Sequence, residues 1–226
     1  MTKLIHPPTG SGQASTGSAA VASTEAEPVR PVPVQDRALR TRAALLETVE
    51  ALVASEGAGA VTTTRVADVA GVSVGTLYRY FADRDDLVLA AYDGTVERVV
   101  AACAKELETL PEDIAIEDAA RRLLGIYLEA AEAIPSHAGL LKAMRAIRPV
   151  EHDHRNESSG VIEEILAPFL ARFAKPGAAP DPMRLNLLNV LMGTLVDLYL
   201  VTRTPDERAA LREEIEAHML LAVARL

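Results

Sequence analysis

A chain of 226 residues, 49% hydrophobic but only 4% aromatic and without Trp, has ample apolar surface for an aliphatic core in one large or two small domains. Cys103 is the single cysteine, which excludes an internal disulfide framework, and MTKLIHPPTG has no apolar run suited to a signal peptide, so a reducing cytoplasm is expected. The formal charge of −9 would disfavour a polyanionic partner if evenly spread, but residues 36–84 balance six Arg against six acidic groups and the whole deficit falls in 85–226.

Residues 1–34 are rich in Pro, Gly, Ser, Thr and Ala, bury too little to offset their ordering entropy, and predict a disordered tail. A helix is expected from Asp36, with Leu45, Leu46, Val49, Leu52 and Val53 as its apolar stripe and Gly57 at its end. The stretch TTTRVADVAGVSVGTLYRYF at 62–81 then reads as two short helices joined by a tight turn. Ala67 is small enough for close crossing, Gly71 takes the left-handed turn, and Leu77 anchors the second helix. The threonines at 62–64 and Ser73 supply N-caps. The second helix carries small, hydroxyl-bearing and cationic groups suited to a major groove and its phosphates. That pattern points to a DNA-binding regulator.

Asp83 caps a long fourth helix whose buried side is expected to be Leu87, Val88, Ala91, Val99, Val100, Cys103 and Leu107, with a break at Pro111. Five further helices follow, at roughly 117–134, 136–147, 157–174, 181–203 and 205–225, with Pro135, Pro149, Pro176, Pro180, Pro182 and Pro205 at or near their boundaries. The apolar run 185–201 approaches membrane-spanning length, but Asn186, Asn189 and Asp197 interrupt it, so a buried helix at a protein interface is expected. With no repeat and no βαβ alternation, the expected fold is all-α.

Residues 36–92, above all GVSVGTLYRYF followed by the D-R-D-D-L helix start, resemble the N-terminal domain of the tetracycline-repressor (TetR) family. After the tail at 1–34, the resemblance implies a three-helix helix-turn-helix DNA-binding domain at 35–84 and a helical effector-binding and dimerisation domain at 85–226, about nine helices in all. It assigns Thr63, Thr64 and Arg65 to the phosphate backbone, and Val74, Gly75 and Thr76, behind the Ser73 cap, to base edges. Tyr78 and Tyr80 match phosphate-contacting positions, with inward packing the alternative for Tyr80. Arg79 reaches either a phosphate or a guanine edge, and Arg84 matches a cationic phosphate contact at the start of the fourth helix. Leu77 and Phe81 are core positions. The family pattern also places an effector pocket in 117–174, with Leu123, Tyr127, Leu141, Met144, Leu166 and Phe169 as chosen wall residues. Leu124, Leu128, Leu140 and Ile162 are further wall candidates, and Glu129, Glu132 and His137 could be polar anchors.

Rival chemistries are weaker. Gly71-Val72-Ser73-Val74-Gly75 satisfies the G-x-S-x-G nucleophile pattern, but that elbow needs a strand before the serine and RVADVA is helix-like. His152-Asp153-His154, with His137 nearby in sequence, is better read as a solvated loop than a four-ligand zinc site. Cys103 is read as a small core residue. No catalytic, cofactor-binding or metal-binding residue is therefore assigned. The stripes Leu185, Leu188, Leu191, Met192, Leu195, Tyr199 and Leu211, Ile215, Met219, Ala222, Leu226 are expected to pair with a second subunit as a four-helix interface. The expected function is a homodimeric regulator, with repression as the expected output, that binds a palindromic double-stranded operator and is released by a small molecule. The alternatives are a serine hydrolase, a metal-binding helical enzyme, and a ligand-binding protein that no longer binds DNA.

Overall fold

The computed structural model describes residues 34–150, 160–173 and 182–224, and every regular element among them is helical. The expected tail, His152-Asp153-His154, Pro176, Pro180, Leu226 and the first residues of the 157–174 helix lie outside the described residues.

Helix α1 spans Val34–Glu56 and buries Leu45, Val49, Leu52 and Val53, four of its five predicted stripe residues, while Leu46 is half-buried against the same core. Gly57 ends it, and a single 3-10 turn at Ala58–Ala60, not foreseen in the sequence, leads into α2 at Thr63–Val69. The short α3, Val74–Leu77, follows at once, and backbone hydrogen bonds extend its turns to Phe81. Helix α4, Arg84–Thr109, begins with a reciprocal cap: the Asp83 carboxylate accepts from the Asp86 N–H while Asp86 accepts from that of Ala82. All seven residues predicted for its buried side are buried.

Helices α5 (Ile116–Glu132) and α6 (His137–Ile147) come next. Helix α7, Ala167–Phe173, is entered through a π-helical segment at Ile162–Leu166, and α8 (Pro182–Val201) and α9 (Pro205–Val223) follow. Among the described residues no helix is long and apolar enough to cross a membrane.

The core does not divide at residue 84. One continuous apolar cluster joins Leu45 and Val49 of α1 and Leu77 of α3 to Leu87 of α4, Leu140, Leu141 and Met144 of α6, and Val196 and Tyr199 of α8. A second gathers Val100, Cys103 and Leu107 of α4, Leu123 of α5, Phe169 and Leu170 of α7, and Val223 of α9. Each fully buried Leu or Val contributes about 1.5–3 kcal/mol, so α4, which belongs to both clusters, holds the N-terminal helices against the rest.

Polar groups reinforce the contact between α1, α4 and α6. The Ser136 hydroxyl donates to Glu50 Oε2 (3.1 Å), which also accepts from Arg98 (2.6 Å). Beneath them the Thr95 hydroxyl donates to the Tyr92 carbonyl (2.6 Å) and lies 2.8 Å from His137 Nδ1. With its one proton already given, Thr95 must accept from His137, which assigns the neutral Nδ1–H tautomer. Burial, helped by the Arg98 charge, holds the His137 pKa down at about 4.

Candidate nucleic-acid interface and buried cavity

The reader is built by caps and one turn. Thr62 Oγ1 accepts from the Arg65 N–H (3.2 Å) to start α2, and Gly71, at φ 69°, turns the chain where a side chain would be strained. Ser73 Oγ accepts from the Thr76 N–H (3.0 Å) and lies 2.9 Å from Thr76 Oγ1. It is therefore a helix cap preceded by a helix, with none of the strand geometry a nucleophile elbow requires.

Val66, Ala67, Leu77 and Phe81 form the buried underside, which turns the opposite face outward. Thr64, Arg65, Ser73, Gly75, Tyr78 and Arg79 are exposed, and Thr63, Val74 and Thr76 are half-buried between them. The Tyr78 hydroxyl lies 3.4 Å from Thr63 Oγ1, so α2 and α3 present a common polar edge. Among the described residues the Arg79 guanidinium has no carboxylate partner and lies 6.0 Å from the Tyr80 ring.

Three predicted contact residues have other engagements. Tyr80 is half-buried and packs against the core, the inward alternative for that side chain. Arg65 pairs with Glu56 at 2.6 Å, both partly exposed. Arg84 donates from Nε to the Val61 carbonyl (2.8 Å) and from NH2 to that of Ala58 (3.0 Å), and pairs with Asp85. It thus clamps the 3-10 turn to the start of α4, and its donors face the protein.

A cavity of about 190 Å³ lies among α4, α5, α7, α8 and α9. Leu123, Tyr127, Leu166 and Phe169 line it, as does Leu124. Leu141 and Met144 do not: they are buried in the cluster that joins α6 to α1 and α4. Leu128 and Leu140 are buried in that same cluster, and Ile162 also lies off the cavity walls. The three candidate anchors lie elsewhere too. Glu129 is exposed, Glu132 accepts from the Tyr199 hydroxyl (2.8 Å) and pairs with Arg208, and His137 is held by Thr95.

The opposite wall comes from helices read in the sequence as a subunit interface. Leu185, Leu188, Met192, Met219 and Ala222 line the cavity, while Tyr199 and Ile215 are buried in the core. Asn189, read as an interruption of an apolar run, lines it as well. Among the described residues Tyr127, Asn189 and the Cys103 thiol are its polar side chains, and no charged side chain lines it. Burial pushes the Cys103 thiol up to about 12 and the Tyr127 phenol well above its ordinary range, so both stay protonated. Among the described residues no group of three or more His, Cys, Asp or Glu is arranged to hold a metal.

The architecture is that of a helix-turn-helix DNA-binding domain joined through one long helix to further α-helices that surround a partly open apolar cavity. Residues 45–91 match the family model for bacterial regulatory proteins, tetR family.

Solved structures share the fold. A putative TetR-family transcriptional regulator from Rhodococcus sp. is 25% identical, with 80% of this chain and 99% of that one covered and a TM-score of 0.52. The TetR family repressor AlkX from Dietzia sp., implicated in biodegradation of n-alkanes, is 20% identical over 80% of this chain and 94% of its own, with a TM-score of 0.55. RolR in complex with its ligand resorcinol is 17% identical over 81% and 89%, with a TM-score of 0.51. No curated protein matches the sequence.

Proposed function

We propose that this protein is a homodimeric transcriptional repressor that reads a palindromic operator and is released from it by a small molecule. The outward face of α2 and α3 carries this reading, where Thr64, Gly75, Tyr78 and Arg79 stand exposed over a buried Leu77 and Phe81. Arg37 and Arg40 are exposed on α1, and the charge deficit lies outside residues 36–84. Phosphate contacts depend on such a local face rather than on net charge.

Pairing is supported by a second apolar stripe. Met183, Leu187, Leu191, Leu198 and Val201 of α8, with Leu221 of α9, are exposed on the outside of the helices whose other faces line the cavity. A twofold pairing of this stripe sets two readers on one duplex, one or more turns apart.

Release follows from the connections of the cavity. Its walls include α4 and α8, α8 is tied to α6 by the Arg145–Asp197 ion pair, and α6 rests on α1 through Ser136 and Glu50. A ligand that favours one arrangement of these helices shifts the spacing of the readers by its differential affinity for the two states. The test is footprinting and sedimentation on the DNA upstream of the protein's own gene. Two chains on two half-sites related by a twofold axis are expected. One chain per site, or no protected site, would overturn the proposal.

A further inference from the structure

We infer that the cavity takes an uncharged, largely hydrocarbon molecule of about one ring plus a few atoms, carrying a single hydrogen-bonding group that meets Tyr127 and Asn189. This rests on the ligand-responsive reading above and names the chemical class of the ligand.

Size comes first. A cavity of about 150 Å³ lined by aliphatic and aromatic side chains holds benzene and stays dry without it. At about 190 Å³ this partly open cavity has room for a ring with a short substituent. Charge comes second. Among the described residues no Lys, Arg, His, Asp or Glu lines the walls, so an ionised ligand would surrender its hydration with nothing there to replace it.

Polarity comes third. Among the described residues neither the Tyr127 hydroxyl nor the Asn189 amide has a hydrogen-bond partner, although both residues stand among Leu, Ile, Val, Phe and Met. Tyr127 is kept neutral by burial and by the nearby Asp197 charge, so it offers an O–H donor. Asn189 offers both a donor and an acceptor. A hydroxyl or carbonyl on the ligand satisfies either group where plain hydrocarbon leaves both unmet. The Cys103 thiol is already directed at the Leu123 carbonyl, at 3.9 Å.

Calorimetry on the full chain at pH 7 with three probes of one shape tests this: 4-ethylphenol, ethylbenzene and 4-ethylbenzoate. The phenol should bind roughly three- to tenfold more tightly than the hydrocarbon, and the carboxylate at least about a hundredfold more weakly than the phenol. Tyr127→Phe, which keeps the ring, and Asn189→Leu should each reduce the preference of phenol over hydrocarbon. Gly193→Leu should abolish binding of all three while the protein stays folded, since a side chain there points into open space. The inference is overturned if the carboxylate binds as well as the phenol, if no neutral probe binds, or if both polar substitutions leave the preference unchanged. Operator retardation, run beside these titrations, separates the two readings. Phenol binding without operator release keeps the ligand class and contradicts the effector role, whereas operator binding with no probe bound overturns the ligand class alone.

Discussion

Gly139 of α6 lies directly against Val53 of α1: a Cβ on the glycine would stand 2.6 Å from Val53 Cγ1. Two helices that both pack on the long α4 therefore touch at a point with no room for a methyl group. Helix α6 is in turn joined to α8, whose inner face lines the cavity, by the Arg145–Asp197 ion pair.

Gly139→Ala should destabilise the protein. Overpacking a close-packed site costs about 1–3 kcal/mol, against at most about 1 kcal/mol gained from helix propensity. Chemical denaturation should show a net loss, and Val53→Ala in the same chain should recover part of it. Simple additivity of the two changes would contradict the contact.

Stability should depend on His137 in acid. Its pKa falls from 6.5 in the unfolded chain to about 4 in the fold. Between these values the unfolded chain binds the proton and the native state does not. Stability is therefore fully present above about pH 6.5 and is lost as pH falls towards 4, by at most roughly 3 kcal/mol. His137→Gln should remove that component from the unfolding free energy measured against pH, leaving the carboxylate contribution. Parallel profiles for the two proteins would refute the assignment.

Arg84 and Arg79 should separate cleanly. Arg84→Ala removes two charge-assisted hydrogen bonds to the carbonyls of Val61 and Ala58 and should lower stability by about 1–2 kcal/mol at this partly exposed site. Arg79→Ala removes an exposed side chain and should leave the unfolding midpoint unchanged. Equal loss of stability in both variants would contradict the clamp.

Local chemistry was legible in the sequence and partner choice was not. Thr62, Ser73 and Asp83 cap their helices and Gly71 turns the chain because each effect operates within a few residues. The inner face of α4 was readable for the same reason: one stripe on a long, otherwise polar helix has one way to turn. Helix α8 is apolar on almost every side, so its pattern could not distinguish the Leu188 and Met192 face, which lines the cavity, from the Leu187 and Leu191 face, which is exposed. Leu141 and Met144 share an apolar face with no mark of whether it meets a cavity or α1. An arginine at a helix start fits a phosphate or a carbonyl equally well, and the 3-10 turn that claims Arg84 leaves no signature in Ala58–Ala60.

DNA binding requires that the exposed edge of α2 and α3 grip a duplex. The most direct measurement is the salt dependence of binding to the upstream DNA, for the unaltered protein and for Arg79→Ala. The logarithm of affinity should fall linearly with that of salt concentration, by about 0.9 per phosphate engaged. The substitution should cost about 1–3 kcal/mol, with a slope shallower by about one if Arg79 meets a phosphate, or relaxed base preference at one position if it meets a guanine. Binding indifferent to salt, or an alanine variant that binds as tightly as the original, would contradict the account.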